Sequence, residues 1–137
     1  MNVLVTGGAG FIGSHIVDEL ARRGHSVTVY DNFSTGFRQH LEAASSTGNV
    51  RIIEGDILDT DRLVQCLQDV SLVFHLAANA DVRGGMNDTC LDVRQNILGT
   101  QSVLEAMRSA SVKRILFTSS ATVYGEPTVF PTPETYA

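Results

Sequence analysis

The sequence predicts an α/β chain built as a doubly wound parallel sheet, and three observations carry that prediction. Strand-like and helix-like patterns alternate from Asn2 to Thr118. A glycine-rich turn, Thr6-Gly7-Gly8-Ala9-Gly10-Phe11-Ile12-Gly13, joins the first apolar run, Val3-Leu4-Val5, to the first helical pattern. The second strand ends on an acidic residue, Asp31, about 20 residues beyond the glycines.

In order, the first strand is expected at Asn2–Thr6, and the first helix at Phe11–Arg23, where Ile12, Ile16 and Leu20 recur every fourth residue. Gly24 stops that helix, and Arg22-Arg23 suits the negative end of its dipole. Ser26–Asp31 is the second strand, followed by a short helix near Arg38–Ala44 and a third strand at Val50–Glu54. Asp59–Leu67 is a helix whose start Asp59 and Asp61 serve. Leu72–His75 is the fourth strand, Asp88–Ser109 a long helix of about 30 Å, and Arg114–Thr118 the fifth strand. Gly99 inside that helix costs about 1 kcal/mol against alanine, so close packing is expected to explain it. The tail from Pro127 carries all three prolines and reads as extended loop. There is no internal repeat or low-complexity tract, and the 137 residues read as one domain.

The chemistry of the first turn explains its glycines. A pyrophosphate needs bare backbone N–H groups and the positive end of a helix dipole, and a Cβ in the turn would hold the anion away. The last glycine, Gly13, lets the helix lie close against the strand it came from. Asp31 at the end of the neighbouring strand suits hydrogen bonding to the adenosine ribose hydroxyls. Its carboxylate would repel a 2′-phosphate, so the unit reads as an NAD-binding Rossmann fold rather than an NADP site. The spacing of Gly8 and Gly13 also fits a nucleotide triphosphate loop, but Ser14 and His15 stand where such a loop needs lysine and then serine or threonine. Ligands of such sheets sit outside the carboxyl ends of the strands. Here that rim gathers Gly7–Gly13, Asp31–Gly36, Asp56-Ile57, Leu76–Gly85 and Ser119–Tyr124. Asp56 and Ile57 are placed to meet an adenine, an N-cap or turn role before the next helix being the alternative for Asp56. Ala77, Ala78 and Ala80 are small enough for a backbone passing close to a flat cofactor.

Composition narrows the partners. A net charge of −5 without a basic cluster larger than Arg22-Arg23 or Lys113-Arg114 argues against nucleic acid. No apolar run approaches the ~18 residues of a membrane span, and the chain enters a strand at once, without a signal peptide. Cys66 and Cys90 lack metal or disulfide spacing and read as free thiols, which makes the cytoplasm the expected compartment. His15, His25 and His40 show no metal-ligand spacing, and His75, ending an apolar strand, reads as a satisfied core histidine.

With these motifs assembled, the chain resembles the extended short-chain dehydrogenase/reductase family of NAD-dependent sugar-nucleotide epimerases and dehydratases. The resemblance is carried by Thr6–Gly13, Asp31–Gly36, Gly55-Asp56-Ile57, His75-Leu76-Ala77-Ala78, Asn96 to Thr100, and Thr118–Gly125. Asp31–Gly36 and Ser119–Gly125 look most like the UDP-glucose 4-epimerase branch, with dehydratases and decarboxylases of the same family also possible. The resemblance implies that Gly7, Gly10, Phe11, Ile12 and Gly13 hold the pyrophosphate and Asp31, Asn32, Ser34, Thr35 and Gly36 the adenosine ribose pocket. It implies Asp56 and Ile57 beside adenine, with Leu76, Ala77, Ala78 and Ala80 along the cofactor. Asn96 matches a helix position that supports the site. Ser120 matches the serine that hydrogen-bonds the sugar hydroxyl being oxidised. Asp81, Val82 and Arg83 fall on a loop approaching the nucleotide-sugar substrate, a UDP-sugar, and Gly84-Gly85 suggests that this loop moves. The implied reaction is a hydride shuttle at C4 of the sugar through a 4-keto intermediate.

That reaction also calls for a tyrosine and lysine spaced Tyr-x-x-x-Lys, and the 137 residues contain no such pair. Lys113 is the only lysine, Tyr124 belongs to the serine motif, and Tyr136 has a single residue after it. The expectation is therefore the N-terminal, cofactor-binding part of an epimerase-like protein (residues 1–137). Its sheet would be truncated after the fifth strand and its substrate domain absent, so it would bind NAD without epimerising. A non-catalytic NAD-binding module and a split enzyme completed in trans are the alternatives. The fifth strand is expected to form an open apolar edge, covered by another copy, by the folded-back tail or by a missing C-terminal half.

Overall fold

The computed structural model describes residues 1–81 and 88–136. Five parallel strands form one sheet: β1 (Asn2–Thr6), β2 (Ser26–Asp31), β3 (Val50–Glu54), β4 (Leu72–His75) and β5 (Ile115–Phe117). Their spatial order is β3-β2-β1-β4-β5. The strand order reverses beside β1, which lies between β2 and β4 and pairs Thr6 with Tyr30 on one side and His75 on the other. A crevice outside the carboxyl ends of the strands opens at such a switch point. The first four strands have the bounds read from the sequence. β5 is shorter than Arg114–Thr118, although its ladder continues at both ends through Val73 N–H to Arg114 O at 3.0 Å and Thr118 N–H to His75 O at 3.3 Å.

Alternation along each strand feeds two cores, one on each face of the sheet. Val3, Val5, Val27 and Val29 point to the side covered by α1 (Phe11–Arg22) and α2 (Glu42–Ser45). Leu4, Tyr30 and Val73 point to the side covered by α3 (Thr60–Cys66) and α4 (Gly99–Ser109). A fully buried Val or Leu contributes about 1.5–3 kcal/mol, so these two layers hold the strand ends in register.

Helix α1 has the predicted place, but its inward face is small: Gly13, Ser14, Val17 and Ala21 are buried. Phe11 is 76% and Ile12 61% exposed. Small residues let the helix axis approach the sheet, and the bulkier Ile12, Ile16 and Leu20 stand to one side with Phe74 along an open apolar groove. Gly24, at φ +76°, ends the helix in the left-handed conformation that glycine adopts most easily. The helix expected near Arg38–Ala44 is a 3₁₀ turn, Arg38–Leu41, running into α2. Asp59 caps α3, its carboxylate accepting from Arg62 N–H at 3.0 Å.

The long helix expected near Asp88–Ser109 runs unbroken over residues 91–109, but it is not α-helical throughout: Val93–Leu98 is a wider π-helical stretch, which leads into α4. Asp88 stands before it in a turn, accepting from Cys90 N–H at 3.0 Å and pairing with Arg94. Gly99 sits where the two meet, and a Cβ there would lie 2.3 Å from Ile57 Cδ1. Close packing explains this glycine.

β5 lies at the sheet edge with Ile115, Leu116 and Phe117 exposed, so the tail does not cover it. Among the described residues no helix is long and apolar enough to cross a membrane.

Candidate functional site

The glycine turn is held by its own backbone. Gly7, at φ +68°, donates to Tyr30 O at 3.0 Å, and Gly10 donates to Gly7 O at 3.2 Å. A Cβ on Gly7 would stand 2.6 Å from Ala77 N, and one on Gly13 only 2.1 Å from Gly7 O. The turn therefore packs between β4's continuation and the start of α1 with no room for a side chain. Gly10 is the N-cap of α1 and offers no side-chain cap, and no acidic residue lies in the first turn. The first helical bond from this end is Ser14 N–H to Gly10 O at 2.9 Å. The amides of Phe11, Ile12 and Gly13 thus precede the helical ladder, leaving the positive end of α1 open to an anion.

Asp31 closes the neighbouring side. It is buried, and its two carboxylate oxygens accept from Ala9 N–H at 2.9 Å and Phe33 N–H at 2.8 Å. A carboxylate accepts about four hydrogen bonds, so this one keeps capacity for two hydroxyls. Asn32 shapes the turn beyond it, accepting from Ser34 N–H at 3.0 Å and Ser34 Oγ–H at 2.8 Å. Gly36 presses on Ala9, where a Cβ would approach to 2.8 Å. Arg38 stacks over the Phe33 ring at 4.2 Å and pairs with Glu54.

These pieces enclose a crevice of about 370 Å³. It is lined by Gly7, Gly10, Phe11, Ile12 and Gly13 from the first turn, and by Asp31, Asn32, Ser34, Thr35 and Gly36 after β2. Ile57 lines it after β3, and Leu76, Ala77, Ala78 and Ala80 after β4. Tyr30, Gly55, Gln95 and Thr118 complete the lining; Gly55 and Thr118 fall within motifs read from the sequence, but none of the four was expected there as a site residue. Tyr30 and Gly55 belong together, since a Cβ on Gly55 would meet the Tyr30 hydroxyl at 2.4 Å. Burial pushes the Tyr30 phenol up to about 12, and its O–H donates to Asp56 O at 3.0 Å. Gln95 reaches the crevice from the π-helical stretch, which periodicity alone does not reveal.

Other expected residues stand outside that lining. The Asp56 carboxylate accepts from Leu58 N–H at 2.9 Å and lies with Asn32, Glu54 and Arg62 along a neighbouring hollow. Asn96 clamps the backbone of Asn79, accepting from its N–H at 2.7 Å and donating to its carbonyl at 3.2 Å. Ser120 Oγ caps the 3₁₀ turn Ala121–Tyr124, accepting from Thr122 N–H at 3.3 Å and from Thr122 Oγ1 at 2.9 Å. Asp81 N–H donates to Asn79 Oδ1 at 3.3 Å. Val82 and Arg83, and the motion suggested for Gly84-Gly85, lie outside the described residues.

His75 is buried beneath the crevice, with Nδ1 2.7 Å from Thr6 Oγ1 and Nε2 3.0 Å from Thr100 Oγ1. Burial pushes the imidazole down to about 4, so it is neutral near pH 7. Among the described residues no three His, Cys, Asp or Glu side chains cluster to hold a metal ion.

The glycine cradle, the open helix end and the buried carboxylate together fit a dinucleotide by shape and by charge. Comparison with known proteins points the same way. The model of the NAD dependent epimerase/dehydratase family matches residues 3–137. A UDP-glucose 4-epimerase of Mycolicibacterium smegmatis is 39% identical over 98% of this chain and 44% of its own length. A UDP-N-acetyl-alpha-D-glucosaminuronate decarboxylase of Bacillus cytotoxicus is 41% identical over 91% of this chain and 38% of its own. The crystal structure of a UDP-glucose-4-epimerase from Stenotrophomonas maltophila, with bound NAD and formylated UDP-arabinopyranose, superposes with a TM-score of 0.90 at 37% identity. That superposition covers 100% of this chain and 42% of the other. The chain spans less than half the length of each of these proteins.

Proposed function

The chain belongs to the NAD-dependent epimerase/dehydratase family, and from that premise we propose that residues 1–137 are the cofactor-binding part of a sugar-nucleotide epimerase of the UDP-glucose 4-epimerase kind. The observation that carries this reading is the uncapped start of α1 beside the buried Asp31 carboxylate, across a turn whose Gly7 and Gly13 pack too closely on backbone to carry a side chain. When bound, NAD supplies a reversible hydride acceptor. The protein's part is to hold and orient it. Amides of Phe11, Ile12 and Gly13 at the open start of α1 take the pyrophosphate, those of Gly7, Ala9 and Gly10 being spent on Tyr30 O, the Asp31 carboxylate and Gly7 O. Asp31 accepts from the adenosine ribose hydroxyls, with Asn32, Ser34, Thr35 and Gly36 shaping that end, and excludes a 2′-phosphate by charge. Ile57 offers an apolar wall to adenine, with Asp56 at its rim. Leu76, Ala77, Ala78 and Ala80 flank the length of the cofactor, and Asn96 supports the site by bracing Asn79. Ser120, whose oxygen accepts twice from Thr122, turns its own hydroxyl to the sugar hydroxyl of a UDP-sugar. Asp81, Val82 and Arg83 are the residues we propose to meet that substrate.

Titration with NAD and NADP tests the cofactor assignment: saturable binding of NAD with weak or no binding of NADP is expected, and equal affinity for both would refute it. The 137 residues hold no Tyr-x-x-x-Lys to take the hydroxyl proton. Loss of a general base costs about 10²- to 10⁴-fold, so the chain alone is expected not to epimerise UDP-glucose. Turnover near that of a complete epimerase would overturn this. The 41% identity to a decarboxylase favours a second reading within the family, a sugar-nucleotide decarboxylase or dehydratase using the same cofactor site.

A further inference from the structure

Beneath the crevice a chain of hydrogen bonds crosses from β1 to the π-helical stretch, and the direction of each bond can be read. Thr100 Oγ1 lies 2.7 Å from Asn96 O, a carbonyl that only accepts, so the hydroxyl's one proton is spent there. Toward His75 Nε2, at 3.0 Å, Thr100 must then accept, and Nε2 carries the imidazole proton. Nδ1 of the neutral ring is a lone pair, so Thr6 Oγ1 donates to it at 2.7 Å. The Thr6 oxygen in turn accepts from Ala77 N–H at 3.3 Å. Every donor along the line has an acceptor, and the ring is further enclosed by Phe117, its centroid 5.7 Å away. One end of the line is Thr6, the residue before Gly7, with the crevice wall at Ala77. At the other end Asn96 grips Asn79 by both its N–H and its carbonyl.

We propose that His75 is a positioning residue for the crevice: as the neutral Nε2–H tautomer it latches the end of β1 and the 76–79 wall to Thr100 and Asn96, so that the glycine turn and the wall opposite move as one body. An imidazole suits the task because it donates at one end and accepts at the other, across a span no hydroxyl can bridge. The consequence for NAD rests on the function proposed above; the latch itself does not.

Thr100 is the place to test it, because Thr100→Val removes the hydroxyl at nearly constant volume and leaves His75 in the core. In wild-type protein with ¹⁵N-labelled histidine, the His75 nitrogens are expected to show a fixed Nε2–H tautomer at pH 7; the Nδ1–H tautomer, or averaging between the two, overturns the proposal. Thr100→Val is expected to speed amide exchange at Ala77, whose N–H bonds to Thr6 and not to Thr100, by about tenfold, the equivalent of one buried hydrogen bond. Thr100→Ser should restore wild-type protection. Unchanged exchange at Ala77 in Thr100→Val overturns the latch, as does failure of serine to rescue. NAD affinity is expected to fall with Thr100→Val and recover with Thr100→Ser. If wild-type protein binds no NAD, the proposed function fails, and the tautomer and Ala77 exchange still decide the latch.

Discussion

Substituting Gly13 by alanine sets two physical effects of opposite sign against each other. Helix propensity favours alanine within a helix by up to about 1 kcal/mol. Geometry opposes it: the new Cβ would lie 2.1 Å from Gly7 O and 2.8 Å from Gly8 Cα. A carbon–oxygen contact settles at about 3.3 Å or more, so more than ~1 Å has to be recovered. Both obstacles are backbone, which cannot swing aside as a side chain does. Overpacking of this kind costs about 1–3 kcal/mol, and the upper end applies, leaving a net loss of about 2 kcal/mol. At ~3–5 °C per kcal/mol for a chain of this size, Tm should fall by about 6–10 °C. The same displacement pulls the Gly7 carbonyl and its turn out of line, so NAD affinity should drop by about 100-fold, the scale of a 1 Å misplacement. Thermal unfolding followed by circular dichroism, with NAD titration by calorimetry, reads both. Gly24→Ala is the control. Gly24 has φ +76° with nothing within 4 Å of a Cβ, so its substitution costs stability through backbone strain alone and leaves NAD affinity unchanged. A Gly13→Ala protein as stable as wild type, with NAD affinity intact, would show that the turn has slack and that the steric argument is wrong.

Three further outcomes are expected. Asp31→Asn turns an amide N–H toward the Ala9 or Phe33 amide where an oxygen now accepts. It should cost about 1–3 kcal/mol of stability, weaken NAD at least ~10-fold and narrow its advantage over NADP, all measurable by urea unfolding and titration. His75 titrates at about 4 when folded against 6.5 ordinarily, so between those values the unfolded chain takes up a proton that the folded one refuses. That contribution is complete above 6.5 and is lost as pH falls toward 4, a change of about 3 kcal/mol. Urea unfolding from pH 7.5 to 4 should show it in wild type and not in His75→Asn; parallel curves for the two would refute it. Finally, the exposed Leu116 on the open edge of β5 should support self-association, which Leu116→Lys reduces in sedimentation velocity. A wild-type monomer at high concentration, with fast amide exchange in β5, would rule out pairing through that edge.

Much of this protein is local in origin, and local features are what a sequence records. Val3-Leu4-Val5, the glycine turn and the run ending at Asp31 each satisfy their own backbone and burial demands, so the bounds of the first four strands, the parallel sheet and most of the crevice lining follow from pattern and spacing. The role of Gly99 was legible for the same reason: a glycine inside a helix must be repaid by packing, and Ile57 fills that place. What periodicity could not supply is the outcome of competition between elements. Ile12, Ile16 and Leu20 mark α1 as a helix, yet its small face of Gly13, Val17 and Ala21 turns inward, because only small residues let the helix start so near the sheet.

The widened turn at Val93–Leu98 has no signature in residue type; it accompanies the contacts Asn96 and Asp92 make with Asn79, a loop some 15 residues away in the chain. Nor does sequence reveal that His75 is wired between hydroxyls at positions 6 and 100, since those bonds exist only once three elements have packed. Composition and spacing determined which elements form and which chemistry the rim offers. Tertiary structure decided which faces meet, and therefore which polar groups are spent on holding the rim and which are left to hold a ligand.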